Sequence, residues 1–212
     1  MKKKMDKMMM ISTAVCLLPI LLSLIIYDRL PDQVVIHWNA AGEPDDYASK
    51  AFAAFGLPFI LAAINMFTHF MLNNDPKRAN SPVALKLMGK WIVPVVSVIM
   101  IPLSLFTSMG VDAPIARTVP AAVGIMVIAC GIYLPKCRQN YTVGIKLPWT
   151  LDSEENWNRT HRMAGYLWIA GGVCIIVVSL LGVWTGQAIP VIIGILVLVP
   201  VFYSYMIYRN GI

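Results

Sequence analysis

Three histidines, four cysteines and eleven carboxylates are the groups in this chain suited to holding a metal or moving a proton. A metal centre needs such ligands clustered in space, usually signalled by short spacings. His37, His69 and His161 share no such spacing. Cys16, Cys130 and Cys174 lie in apolar runs and Cys137 in a basic loop, so neither a disulfide framework nor a zinc site is indicated. Nucleophilic catalysis needs a hydroxyl or thiol beside a base and an orienting acid. Thr160, His161 and Glu154 supply the types, but adjacent residues on a helix do not face each other, so Thr160 and His161 cannot act as a pair. Thr160, His161 and Arg162 are expected instead to close a loop through hydrogen bonds to its own backbone. Ion coupling needs ionisable groups within membrane spans, yet all eleven acids fall outside the apolar runs. Asn65 and His69, one helical turn apart, are an isolated polar pair suited to bonding across helices. No catalytic residue, metal ligand or cofactor is assigned. These residues point to binding rather than chemistry.

The elements that position them are read from composition. The chain has 212 residues, 58% of them hydrophobic and 13% charged, with a mean hydropathy of +0.69. A soluble domain carries about 25% charged residues; this chain is an integral membrane protein. Apolar runs at 8–27, 51–72, 90–109, 115–134, 163–184 and 188–208 each reach the length of about 20 residues that crosses a hydrocarbon core. The first follows a basic segment, as in a signal peptide, but it is long enough to span and no small-x-small cleavage site follows, so it is read as retained. The fold class expected is an all-α integral membrane protein: a bundle of six transmembrane helices with a structured external loop and a structured cytoplasmic loop. Two three-span halves are expected, 1–114 with the external loop 28–50, and 115–212 with the cytoplasmic loop 135–162. Pro19, Pro58, Pro94, Pro102, Pro190 and Pro200 fall inside spans, where each frees a carbonyl that a neighbouring helix must satisfy. Fourteen of the seventeen Lys and Arg residues fall on one side, leaving Arg29, Lys50 and Arg117 on the other. Both termini are therefore expected in the cytoplasm, at the cell membrane. The net charge of +6 reports this orientation and implies no direct nucleic-acid partner.

Two polar loops carry most of the information. In the first, Gln33 to Trp38 reads as a strand, 39–42 as a turn, and Asp45 or Asp46 as a cap on the second span. Its acids (Asp28, Asp32, Glu43, Asp45 and Asp46) outnumber its bases, so a cation or a basic peptide would be drawn to it. The second loop, Tyr133 to Gly165, contains Lys136, Arg138, Lys146, Arg159 and Arg162. There Asp152 is expected to cap a helix with Glu155 at the capping-box position, and Glu155 to pair with Arg159. Trp91, Trp168 and Trp184 fit an interfacial aromatic belt. Trp157 is placed at the membrane surface, beside Arg159 and Arg162 meeting lipid headgroups. The alternative for Trp157 is an anchor for a protein partner.

Within the second loop, Tyr133-Leu134-Pro135, Asn140, Gly144-Ile145-Lys146, Pro148-Trp149-Thr150-Leu151, Trp157 and Thr160-His161-Arg162 resemble the signature of the SdpI family. That family comprises multi-pass bacterial proteins named for immunity to a secreted toxin, the sporulation-delaying peptide. Leu30-Pro31, His37, Gly42, Pro44-Asp45 and Lys50 resemble a block of unknown function found ahead of that signature. The chain departs from the family at Ile132, Lys146 and Leu147, where Asn, Arg and Thr are usual; Lys146 lacks the forked guanidinium of Arg. The resemblance implies a membrane immunity protein whose external loop (Asp32, His37, Glu43, Asp45, Asp46) faces the toxin. It further implies signalling, in which the toxin-loaded protein recruits a cytoplasmic repressor to the membrane. Two other classes stand beside this reading, a small permease or exporter and a membrane-embedded enzyme using His161.

Overall fold

The computed structural model describes residues 6–39, 41–182 and 185–212. Trp184 of the expected aromatic belt, Ala40 of the expected turn, and the basic Lys2, Lys3 and Lys4 lie outside them. Among the described residues, six helices are long and apolar enough to cross a membrane: α1 (Lys7–Arg29), α2 (Phe52–Asn74), α3 (Val83–Ser108), α4 (Ile115–Lys136), α6 (Glu154–Leu181) and α7 (Thr185–Arg209). A short helix, α5 (Pro148–Asp152), precedes α6, and an antiparallel hairpin of β1 (Gln33–Trp38) and β2 (Pro44–Ser49) joins α1 to α2. This is an all-α multi-pass membrane protein with one small hairpin. Large side chains point outward along every span, Ile25 being 79% exposed, as suits a surface solvated by lipid.

The chain resolves into two compact units: residues 1–39, 43–73 and 87–113, and residues 40–42, 74–86 and 114–212. In the first, Ile26, Leu30, Val34, Ala53, Ala54, Ile101 and Leu105 form a buried apolar cluster drawn from α1, β1, α2 and α3. The hairpin is tied to α3 by Ser108, whose Oγ accepts the Val35 N–H at 2.9 Å, and by Ser104, whose hydroxyl donates to the Val35 carbonyl. The expected strand Gln33–Trp38 is present. Asp45 and Asp46, expected as helix caps, lie instead within β2, and Ser49 Oγ accepts the N–H of Phe52 at 3.4 Å as α2 begins. The register explains the difference: pairing of Gln33 with Ser49 extends the second strand almost to the helix.

In the second unit, α4 and α6 run antiparallel through facing glycines. A Cβ on Gly124 would lie 2.8 Å from the Gly172 carbonyl, and one on Gly131 would lie 2.8 Å from that of Gly165. The heptad spacing repeats the contact after two turns, and only glycine permits so close an approach of backbones. Two of the in-span prolines, Pro58 and Pro200, are matched by polar side chains from neighbouring helices. Pro58 cannot donate to Ala54 O, four residues back, and the Ser23 hydroxyl does so at 3.1 Å. Pro200 likewise leaves Leu196 O without its helical donor, and the indole N–H of Trp168 donates to it at 3.0 Å.

Helix α6 starts at Glu154, not at 163, because the motif helix and the span are continuous. Its 28 residues rise about 42 Å, more than a hydrocarbon core of about 30 Å, so its first turns project beyond the apolar layer.

Candidate functional site

The loop between α4 and α6 is a folded structure built from side-chain bonds to backbone. Asn140 starts it: its Oδ1 accepts the N–H groups of Thr142 (3.0 Å) and Val143 (2.7 Å), while Nδ2 donates to Arg138 O (2.9 Å) and Cys137 Sγ (3.2 Å). An Asn side chain that mimics backbone in this way forces a tight turn. The turn delivers Gly144 at φ 114° against the Trp157 and His161 rings, where a Cβ would stand 2.5 Å from His161 Nε2. His161 Nε2 accepts the Ile145 N–H at 2.9 Å, so it carries no hydrogen, and Nδ1 donates to Trp157 O at 2.8 Å. Both ring nitrogens are thereby engaged in a neutral imidazole. The Trp157 ring stacks on that imidazole, centroids 3.9 Å apart, and its indole N–H donates to Cys137 O at 2.6 Å.

Thr150 locks the entry to α5: its hydroxyl accepts the Leu147 N–H and donates to Ile145 O, both at 2.9 Å. Pro148 occupies the first turn of α5, where a missing N–H costs nothing. Trp149 Nε1 donates to Ser204 Oγ at 2.8 Å, and its ring lies against Tyr205 and Tyr208 of α7. Asn156 donates to Ser204 O at 2.9 Å and accepts from the Thr160 hydroxyl at 3.1 Å. Ser153, not Asp152, caps α6 by accepting the Asn156 N–H, because Asp152 closes α5 and the chain turns at Ser153. The expected Glu155–Arg159 pair forms at 2.5 Å on the exposed face.

Residues 74–86 add a side that sequence reasoning missed. Asp75 Oδ2 accepts the Thr142 hydroxyl (2.6 Å) and the Tyr141 N–H (3.1 Å), while Oδ1 accepts the Lys77 N–H (2.7 Å). Burial alone would raise the Asp75 carboxyl, but these bonds hold it below the ordinary aspartate range. Gln139 accepts from Lys77 Nζ at 2.7 Å and donates to Leu151 O at 2.7 Å, joining three segments. No local pattern marks Asp75; Gln139 and Asn156 lay within the motif region but were not singled out. Burial pushes the Cys137 thiol up, away from reactivity.

Asn140, Thr150, Trp157, Thr160 and His161 are thus fully buried, whereas Lys146, Pro148 and Arg162 are exposed. The expectation that Trp157 rests on the membrane surface or anchors a partner is overturned, since its ring and its N–H are both engaged inside the loop. Thr160 bonds to Asn156 rather than to backbone, and Arg162 points outward.

The hairpin residues form a second, separate group. His37 Nδ1 and Asp45 Oδ1 meet at 2.6 Å across the strands, and Lys50 pairs with Asp32 at 3.3 Å. Glu43 accepts from Asn39 Nδ2 at 3.3 Å, and Asp46 accepts the N–H of Tyr47 at 2.8 Å. All four of these acids and His37 are exposed to solvent, so the charge is displayed rather than buried.

Residues 136–204 match the SdpI/YfhL protein family, and the match covers the folded loop, α6 and most of α7. The SdpI segment therefore coincides with the buried network of Asn140, Thr150, Trp157 and His161. Residues 14–62 match DUF1648, a domain of unknown function that takes in most of α1, the hairpin and the start of α2. Across both segments the chain is similar to the "Immunity protein SdpI" of Bacillus subtilis (strain 168), 28% identical over 194 residues, covering 92% of this chain and 90% of that protein. No solved structure matches.

Proposed function

We propose that this chain is an immunity protein of the cell membrane, protecting its cell from a secreted peptide toxin. The observation that carries the reading is the similarity to Immunity protein SdpI, which runs through the hairpin, the folded loop and the spans alike. Binding, rather than catalysis, is the mode of action: His161, the base an enzyme would need, has both nitrogens engaged in holding the loop. By the count of basic residues both termini face the cytoplasm, which puts the hairpin outside and the loop of the SdpI segment inside. The displayed carboxylates of Asp28, Asp32, Glu43, Asp45 and Asp46 draw a basic toxin segment to the hairpin. The exposed Lys146, Arg159 and Arg162 offer a cytoplasmic repressor, or anionic headgroups, a basic face.

The test is expression in a strain sensitive to the sporulation-delaying peptide, with survival as the readout. Survival should rise with this chain and fall with Asp45→Lys/Asp46→Lys, and the difference should shrink at 1 M salt, where the Debye length is about 3 Å. Lys146→Glu/Arg162→Glu should leave survival intact and abolish membrane recruitment of a fluorescent repressor. No protection at equal protein level would refute the immunity role, and loss of survival from the inner substitutions would refute the division between the loops.

A further inference from the structure

Asn65 and His69 are members of a buried polar cluster, all within the first unit, that the immunity reading does not use. Asp6 caps α1, with Oδ1 accepting the Met8 N–H at 3.0 Å. Its Oδ2 is approached by Asn73 Nδ2 (2.8 Å) and His69 Nδ1 (3.5 Å) from α2 and by Lys90 Nζ (3.2 Å) from α3. The Asn73 amide, ahead of the opposing effect of burial and of the Lys90 ammonium, holds the Asp6 carboxyl well below the usual range, so it faces His69 as an anion. His69 is fully buried, and its Nε2 lies 3.0 Å from Ser12 Oγ.

The single hydroxyl hydrogen of Ser12 decides where the ring's hydrogens go, and besides the ring it has two acceptors, the Met9 carbonyl at 3.1 Å and the Asn65 amide oxygen at 2.9 Å. The carbonyl of Lys90 lacks its helical donor because residue 94 is proline. Asn65 answers it when its amide nitrogen donates to Lys90 O at 3.3 Å, with its oxygen accepting from Ser12 Oγ (2.9 Å), Thr13 Oγ1 (2.9 Å) and Thr13 N (3.2 Å). The opposite orientation sets carbonyl against carbonyl and N–H against N–H. With its hydrogen on Asn65 or on the Met9 carbonyl, Ser12 accepts from His69 Nε2–H. A neutral ring then leaves Nδ1 as a buried lone pair aimed at the Asp6 carboxylate, without a hydrogen-bond partner. A proton on Nδ1 turns that opposition into an ion pair.

We propose that His69 is a proton-binding site, held as an imidazolium between Ser12 and Asp6. The charged groups that face it are Asp6 from α1 and Lys90 from α3; α2 itself contributes Asn65 and Asn73. Release of the proton strands no charge, because Lys90 keeps Asp6 paired. It does require the neutral tautomer, in which Nδ1–H points to Asp6 and Nε2 accepts from the Ser12 hydroxyl. Asn65 then gives up only the Ser12 hydroxyl: its oxygen keeps Thr13 Oγ1 (2.9 Å) and Thr13 N (3.2 Å), and its nitrogen keeps the Lys90 carbonyl. Losing one proton thus replaces the ion pair between Asp6 of α1 and His69 of α2 by a neutral hydrogen bond and reverses the bond between His69 and Ser12. This gives the first unit a proton-dependent link between helices.

The test uses the full chain in lipid nanodiscs with 15N-labelled histidine, the His69 signals being those lost in His69→Gln. At about pH 6, near where histidine ordinarily titrates, both His69 nitrogens should carry hydrogen. Lys90→Met removes a competing cation and should move the midpoint up by about one pH unit or more, and Asp6→Asn should move it down. If Asp6→Asn fails to accumulate, Lys90→Met decides alone, since it keeps the carboxylate. A ring with one protonated nitrogen down to about pH 5, or a midpoint indifferent to Lys90→Met, overturns the site.

Discussion

Gly144 shows how little freedom a single position of the folded loop has. Its φ of 114° lies where an L side chain is strained, and an added Cβ would meet His161 Nε2 at 2.5 Å and the Trp157 ring at 3.0 Å. Gly144→Ala should cost at least about 1–2 kcal/mol from the backbone alone, and displacement of His161 should leave the Ile145 N–H without its acceptor. Hydrogen exchange at that amide is the measurement, and unchanged protection would contradict the network. Asp75 carries a second expectation at this scale. Its carboxyl is held below the ordinary value of 3.8, so the stability it lends is complete above that value and is lost as pH falls below it. Exchange at Tyr141 should therefore rise on acidification past that point. Asp75→Asn should raise it at neutral pH and flatten the acid response.

At the scale of elements, the start of α6 separates two sequence-level choices that differ by one residue. Ser153 accepts the Asn156 N–H, while Asp152 belongs to the preceding helix. Ser153→Ala should destabilise the first turns by about 0.5–2 kcal/mol, read as faster exchange over residues 154–161. Asp152→Ala should leave that exchange nearly unchanged; the reverse ranking would restore Asp152 as the cap. The capping signal was legible, but its phase was not. Both residues are good caps, and what separates them is that Asp152 is taken up as the last residue of α5, leaving Ser153 in the extended conformation that a cap needs. The spans follow the same pattern. Each in-span proline announces a freed carbonyl, but that Ser23 answers Pro58 and Trp168 answers Pro200 depends on helix neighbours that no local window contains.

For the molecule as a whole, orientation is the property most open to direct test. Cys137 is buried with a raised thiol, so it is a silent background for impermeant reagents. A cysteine replacing Arg162 should label only after the membrane is opened, and one replacing Asp46 should label in intact cells, both positions being exposed. Labelling at 162 from outside would invert the orientation expected from the basic residues.

Apolar runs, in-span prolines and the excess of basic residues on alternate loops were enough to read a six-span membrane protein from the sequence alone. Hydrophobic length and charge act additively along the chain, so they survive without knowledge of contacts. The strand Gln33–Trp38 and the Glu155–Arg159 pair were legible for the same reason, being local in pattern. The roles of Trp157, Asp75 and His69 were decided only by tertiary structure. Trp157 reads as a surface anchor until Cys137 O and the His161 ring are found on either side of it. Asp75 finds Thr142 across 67 positions, and His69 finds Ser12 across 57. A buried polar atom must be satisfied by whatever the fold brings within about 3 Å, and that choice is made by helix packing in three dimensions, which no spacing along the chain encodes.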